Sequence, residues 1–396
     1  MSSGGTSRAL ALLALLLLAG CPKQTASVVD IDLPEKASGL TERPPREILE
    51  EGAASLEPSH RGQALGFLIR TSPEPGGGEW GPRALYDPDG WVQRQGVQAL
   101  VERIEEPEAR AHLVDYLGRD TADPYSRGYA AVRLRDHSSP EVRATLTEAW
   151  RAESQRWRAA PLALGALVHG DETALEPLSA ALSRGDIALE AEFVHDVGAS
   201  GRPELLAALQ EGEDWVEEEL ALAYAVARVS LGDGSGEQLL RKALSSEDAT
   251  TQLDALDQLS DLHDPAADAL LRRARSQGPE LMRTWADLAL AARGDGDPAI
   301  IVTAAGSSDG EIRALAARFA GERLEAGAPK KVARSLEQTL RGAVLDRDAR
   351  VRRAALGAIG AAHLADQAVL LGPVLTDESF ENRLEAAGLL LASKQP

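Results

Sequence analysis

A hydrophobic pattern that recurs about every thirty residues constrains the fold of this chain more than any other feature. In its clearest copy, apolar residues occupy positions 351, 354, 355, 358, 359 and 362, which lie on one face of a helix. Similar copies, spaced 29 to 39 residues apart, start at a series of anchor residues: His60, Val92, Ser126, Trp157, Ile187, Val216, Gln252, Met282, Ile312, Val351 and Asn382. The near-constant period predicts one repeat array and not two or three independent domains.

Each repeat is predicted to contain two helices. A break such as Gly170-Asp171 or Gly232-Asp233 follows the first apolar stripe and leads into a second one, for example residues 175–182. Glycine ends helices and aspartate caps them, so these dipeptides separate paired helices. Alternating patterns typical of strands are nearly absent.

Two repeats carry a family resemblance. Residues 351–360 (VRRAALGAIG) and 312–317 (IRALAA) resemble HEAT repeats of the short kind first associated with phycobilisome lyases. The resemblance extends over about 60–396. It implies an all-α fold, an α-solenoid wound as a right-handed superhelix from about ten to eleven two-helix repeats over 47–396, with a long concave binding surface.

The ends and one insertion depart from the repeat. Scattered prolines and charges without periodicity predict a flexible tether over 21–46. Residues 71–90 are predicted to be an irregular insertion because they are rich in glycine and proline, with a brief second helix near 82–86. We expect 47–56 to form an N-terminal capping helix and 382–391, which has no room for a partner helix, to form the C-terminal cap.

The first twenty residues resemble an export signal. Arg8 precedes an apolar run at 9–19, too short for the roughly 20 residues of a membrane-spanning helix. The Leu-Ala-Gly-Cys sequence ending at Cys21 resembles the lipobox of bacterial lipoproteins, which implies removal of residues 1–20 and acylation of Cys21. Pro22 replaces the Asp that retains some lipoproteins at the inner membrane, which favours the outer membrane. The alternative is an ordinary secreted protein with an accidental cysteine.

Charge and cysteine content exclude several classes of protein. The 62 acidic and 42 basic side chains sum to −20, which disfavours binding to nucleic acid. One cysteine allows no intramolecular disulfide and no Cys-rich metal site.

Two sets of recurring residues could suggest ligand sites, and both are interpreted as structural. One is a ladder of arginines directly after the anchors, with aspartates three residues before some anchors: Arg61, Arg127, Arg158, Arg283, Arg313, Arg352, Arg383, Asp89, Asp123, Asp309 and Asp348. In HEAT-like repeats such positions cap helices and link neighbouring repeats. The histidines His169, His263 and His363 belong to repeats that are not neighbours, and the His-Glu dipeptides of HEAT-like iron hydroxylases are absent from the sequence. No metal or cofactor is expected.

Partner contacts are predicted in two places. Trp80 lies in the Gly/Pro-rich insertion and Trp91 directly follows it, and a tryptophan on an irregular segment suits a binding hot spot. An alternative is that Trp80 folds back onto the end of the solenoid. The acidic run Glu217, Glu218 and Glu219 would favour a basic partner.

The function expected from these features is that of a non-catalytic, lipid-anchored scaffold in a bacterial cell envelope that binds another protein. His195-Asp196 could be half of a hydrolytic triad, but the sequence lacks a G-x-S-x-G nucleophile motif, so no catalytic residue is assigned. Two alternatives remain: a lyase- or chaperone-like protein that handles a small prosthetic group, as the resemblance implies, and a purely structural envelope spacer.

Overall fold

The structure is a computed structural model that describes the backbone of residues 43–184, 189–216, 218–262, 265–364 and 367–393. Within these ranges it consists of α-helices and short 3₁₀ turns, without strands. The predicted all-α solenoid is therefore confirmed. Cys21, the signal segment and His263 lie outside the described residues.

The helices form two layers. The inner layer consists of eleven helices, on which the anchors lie at or near the first turn wherever they fall in a described helix: α2 (Pro58–Arg70), α4 (Gly90–Val101), α6 (Pro124–Arg133), α8 (Arg156–Val168), α10 (Ala191–Ala199), α12 (Glu218–Ser230), α14 (Ala249–Asp261), α16 (Glu280–Ala292), α18 (Gly310–Glu325), α20 (Ala349–Ala361) and α22 (Phe380–Ala392).

The outer layer supplies the second helix of each pair. Its helices are shorter on average, and several continue from a 3₁₀ turn: α1 (Pro45–Ala53), α3 (Trp80–Leu85), α5 (Pro107–Leu117), α7 (Pro140–Ala152), α9 (Leu175–Leu182), α11 (Leu206–Gly212), α13 (Gly236–Ala243), α15 (Pro265–Gln277), α17 (Ala299–Ala304), α19 (Lys330–Ala343) and α21 (Gln367–Leu371). Leucine and alanine side chains between the layers form a continuous core.

The punctuation between the helices follows the sequence prediction. Gly170, Gly232 and Gly294 adopt φ values of 93°, 89° and 86°, a left-handed conformation that side chains other than glycine rarely adopt. Aspartate caps many inner helices; for example, Asp123 accepts the backbone N–H of Ser126 at 2.7 Å.

Arginine–aspartate pairs join adjacent repeats. Arg313 at the start of α18 donates two hydrogen bonds to Asp346 in the turn before α20, at 2.7 and 2.9 Å. Arg352 repeats the arrangement with Asp377, in the turn before α22, at 2.6 and 2.8 Å. The turns from outer to inner helices therefore lie side by side along one edge, which we call the inner-start rim. The structural role predicted for the arginine ladder is confirmed at these positions.

The array closes on itself. Successive inner helices pack side by side from α2 to α8 and from α10 to α22, and α10 joins the two runs by packing against α6. The last inner helix, α22, then packs against α1 and α2. At this seam Gln63 Nε2 donates to Glu385 Oε2 at 2.8 Å, and His60 Nε2 lies 3.3 Å from Glu381 Oε1. The repeats thus form a closed ring in which α1 is the outer partner of α22.

Ring closure corrects the predictions for both ends. The 382–391 segment was expected to cap an open solenoid with a polar outer face, yet Leu384 packs on Gly52 of α1, and Gly388 packs on the Phe67 ring. The predicted N-terminal capping helix exists, but it starts at Pro45, inside the predicted tether, and completes the last repeat. The two expected caps are the two halves of one helix pair.

The Gly/Pro-rich insertion is more regular than expected in its first half, and its second half contains a short helix close to the one predicted near 82–86. Residues 71–90 contain a 3₁₀ turn at Pro75–Gly77 and the helix α3. The three consecutive glycines Gly76, Gly77 and Gly78 all have positive φ, which lets the chain turn sharply between α2 and α3.

Candidate functional site

The two tryptophans predicted as partner contacts lie in different environments. Trp80 begins α3 and is 9% exposed, with the Arg83 guanidinium 5.4 Å from its ring centre. This burial leaves little of the Trp80 side chain for a surface contact. It agrees with the alternative in that the side chain folds back onto the protein, although the closed ring of repeats has no open end for it to cover. Trp91, in the first turn of α4, is 49% exposed and lies on the inner-start rim.

The acidic run precedes or begins α12. Glu218 and Glu219 are its first two residues. The backbone of Glu217 and the side chains of all three glutamates lie outside what the structure describes. The described residue closest to this run with a large exposed ring is Trp215, at 70% exposure. Trp215 was not predicted as a contact, although its position beside three glutamates could have suggested one.

Exposed apolar side chains concentrate on the inner-start rim. Of the seven large apolar residues that are exposed in the described part of the chain, five lie in its turns: Leu56, Tyr86, Trp91, Trp215 and Leu345. Leu345 precedes α20, Leu56 precedes α2, and Tyr86 and Trp91 flank the start of α4. Because the ring is closed, the repeats of α20, α22, α2 and α4 are consecutive. Leu345, Leu56, Tyr86 and Trp91 lie within these four repeats, and we call them the apolar arc.

A cavity of about 260 Å³ lies among the inner helices. It forms between α4, α6 and α10, where α10 approaches α6, and Leu164 of α8 contributes to its wall. Tyr125 and Phe193 form an aromatic corner, with ring centres 6.2 Å apart and planes inclined at 55°.

Two ion pairs line this cavity. Arg94 Nη2 lies 2.7 Å from Glu190 Oε2, which joins α4 to the start of α10 across the intervening repeats. Arg133 Nη2 lies 3.4 Å from Asp196 Oδ1, and the Arg133 guanidinium stacks 4.6 Å from the centre of the Tyr129 ring.

Burial dominates the electrostatics of the cavity. It raises the pKa of Asp196 to about 6, against the attraction of Arg133, and it raises the pKa of Glu190 despite the ion pair with Arg94. Burial lowers the pKa of His195, so its imidazole is mainly neutral at pH 7. Within the described residues, His195 Nε2 is buried without a hydrogen-bond partner.

The cavity bears on the small-ligand and catalytic alternatives. At about 260 Å³ it falls below the roughly 300–1,000 Å³ typical of drug-sized pockets, so it suits a ligand much smaller than a tetrapyrrole. His195 and Asp196 do line it together. The hydroxyl of Ser126, in the same wall, donates to the capping Asp123 at 2.6 Å.

The predicted histidine positions support the structural interpretation where they are described. His169 is buried, and its Nε2 lies 2.9 Å from the carbonyl oxygen of Ala131. In the described ranges, no group of three or more His, Cys, Asp or Glu side chains is arranged to hold a metal ion. No helix in those ranges is long and apolar enough to cross a bilayer.

The fold and these surfaces define a closed ring of helical repeats with an apolar arc on one rim and a small polar-aromatic cavity. Comparison with known protein families and with curated proteins finds no match. Among solved structures, an engineered protein is 18% identical, with a TM-score of 0.30, over 89% of this chain and 100% of the other. Human deoxyhypusine hydroxylase in complex with glycerol is 17% identical, with a TM-score of 0.28, over 68% and 98%.

The UNC-45 chaperone, whose structure concerns the binding and folding of muscle myosin, is 13% identical, with a TM-score of 0.24, over 88% of this chain and 47% of the other. Similarities at this level carry no information about the ligand or activity of this chain.

Proposed function

We propose that this protein is a non-catalytic scaffold of the bacterial cell envelope, held at the outer membrane by acylated Cys21, that binds a basic protein through the apolar arc. The observation that carries the proposal is the arc itself. Leu345, Leu56 and Trp91 are 50%, 97% and 49% exposed. Exposed apolar side chains grouped on one surface are typical of protein-binding sites, and tryptophan is enriched among hot spots.

Charge supports a basic partner. The chain carries a net charge of −20, and the turns of the inner-start rim are rich in aspartate because aspartates cap the inner helices. An apolar centre with an acidic surround favours a partner with complementary positive charge.

Site-specific photo-crosslinking in living cells tests the partner surface. A photoreactive phenylalanine replaces Trp91 in one strain and Val302, which is 39% exposed on the outer helix α17, in another. We expect one crosslinked protein of defined mass from position 91 and none from position 302. The same species from both positions would refute an arc-specific contact.

Charge substitutions provide a matched control. Leu56→Glu combined with Trp91→Glu should abolish the crosslinked or co-purified species. Trp215→Glu, at a more exposed tryptophan outside the arc, should leave it intact. Equal loss in both variants would remove the support for the arc.

Lipid anchoring is tested separately. Labelled palmitate should be incorporated into the wild-type protein but not into Cys21→Ser, and the variant should move from the outer-membrane fraction to the soluble fraction. Incorporation that persists in Cys21→Ser would refute acylation at this residue. The scaffold proposal would survive that result, since the arc is tested independently.

A further inference from the structure

The cavity between α4, α6 and α10 combines apolar surface with charge. Tyr125 and Phe193 are 9% and 4% exposed overall, so their rings belong to the wall of the ring's inner layer and not to its outer surface. Their inclined planes leave a corner that suits a flat or methyl-rich group. Faces of aromatic rings also attract cations.

The charged side chains around this corner do not balance. Glu190, Glu192 and Asp196 line the cavity with Arg94 and Arg133, so the lining carries one excess negative charge while His195 is neutral; Glu192, at 77% exposure, places its part of that charge at the solvent edge. The Arg133–Asp196 pair is also loose, at 3.4 Å, and the Asp196 side chain is 14% exposed. A buried carboxylate with an imperfect partner is stabilised when a second cation approaches it.

His195 adds a polar group with unmet hydrogen-bonding capacity. Its Nε2 is buried without a hydrogen-bond partner among the described residues, although Gln258 of α14 lies close enough to the imidazole to act on its pKa, and the side chain lines the same cavity. Buried polar atoms are nearly always hydrogen-bonded, so an unpartnered imidazole nitrogen in a cavity wall is consistent with a polar group supplied by a ligand.

We propose that this cavity binds a small organic cation, in which a protonated amine lies beside Asp196 and an apolar body lies in the corner formed by Tyr125 and Phe193. The occupant is a free small molecule, because the cavity is confined to the inner helices and is smaller than a drug-sized pocket. This proposal goes beyond the scaffold role and does not depend on it, since the cavity and the apolar arc involve different residues.

A second cavity of about 260 Å³ provides an internal contrast. It is lined by Arg241, Arg273 and Met282 among others, and none of its lining residues is a carboxylate. The two cavities have the same volume but opposite charge, so size alone cannot decide which of them binds a cation. A cation should bind the cavity that contains Asp196 and not the second one.

Calorimetric titration of the full-length protein in detergent tests the proposal with three probes of similar shape. Benzylamine is cationic, benzyl alcohol is neutral and benzoate is anionic. We expect benzylamine to bind at least about ten-fold more tightly than benzyl alcohol at pH 7.5, and benzoate to bind least well. Equal affinity for benzylamine and benzyl alcohol, a preference for benzoate, or no binding of benzylamine would overturn the proposal.

Variants locate the binding. Asp196→Asn should weaken benzylamine binding about ten-fold or more, and Phe193→Leu, which keeps apolar volume but removes the ring face, should weaken it several-fold. Arg241→Ala, in the second cavity, should leave it unchanged. Circular dichroism of each variant establishes that it folds. Unchanged affinity in a folded Asp196→Asn variant would refute the assignment.

Discussion

Replacing Gly388 by alanine should loosen the seam of the ring. Gly388 lies inside α22, where alanine favours the helix by about 0.5–1 kcal/mol. A Cβ at this position would overlap the ring of Phe67 in α2. Overpacking of this kind costs about 1–3 kcal/mol, so we expect a net loss of about 1–2 kcal/mol in the free energy of unfolding.

Gly357→Ala is the matched control. Gly357 also lies inside an inner helix, α20. A Cβ there would have no neighbour within 4 Å apart from the adjacent residues and the backbone of its own helix. This variant should gain about 0.5–1 kcal/mol, which places the two alanine variants about 1.5–3 kcal/mol apart. Urea unfolding followed by circular dichroism measures the difference.

Hydrogen exchange distinguishes a seam effect from a general one. In Gly388→Ala, amides of α1 and α22 should exchange faster, and those of α12 and α14, across the ring, should not. Adding Phe67→Leu should restore part of the lost stability, because a smaller side chain makes room for the new Cβ. The closed ring would be refuted if Gly388→Ala were as stable as Gly357→Ala and left exchange in α1 unchanged.

Two further predictions concern buried charges. Arg352→Ala should cost about 3 kcal/mol in urea unfolding because Asp377, whose side chain is 4% exposed, loses its bidentate partner; Arg350→Ala, which removes a 74% exposed side chain, should leave stability nearly unchanged, and equal effects would contradict the linking role. Burial raises the pKa of Asp196 from 3.8 to about 6. The protonated side chain is therefore favoured in the folded protein, and this contribution to stability is lost as the pH rises through 6. Asp196→Asn should therefore stabilise the protein by about 3 kcal/mol at pH 8 and progressively less towards pH 4, and a gain independent of pH would refute the burial argument.

The parts of the fold that depend on local interactions could be predicted from the sequence. Aspartate caps such as Asp89 and Asp348 bind backbone amides within two or three residues, so their effect is visible in a short window. The arginine ladder was interpretable because each arginine pairs with the next repeat, as in Arg61 with Asp87 at 2.8 Å.

Closure of the ring could not be predicted in the same way. It depends on small rotations summed over eleven repeats and on contacts such as Gln63 with Glu385, more than 300 residues apart in sequence. The sequence pattern predicts a single unpaired helix at each end of the array, over 47–56 and 382–391, and so indicates two separate caps. The cavity was missed for a related reason, because Arg94 and Glu190 meet only once α10 has packed against α6.

Ring closure also changes which surface a partner can use. An open solenoid offers a long concave groove, but here inner helices of non-adjacent repeats touch, as where Arg318 of α18 pairs with Asp257 and Asp261 of α14 at 2.6 Å. Such contacts across the inner face narrow it at these repeats, and two cavities of about 260 Å³ lie among the described helices. The rims remain available. Because α1 is an outer helix, its first residue, Pro45, lies on the rim opposite the turns from outer to inner helices, away from the apolar arc.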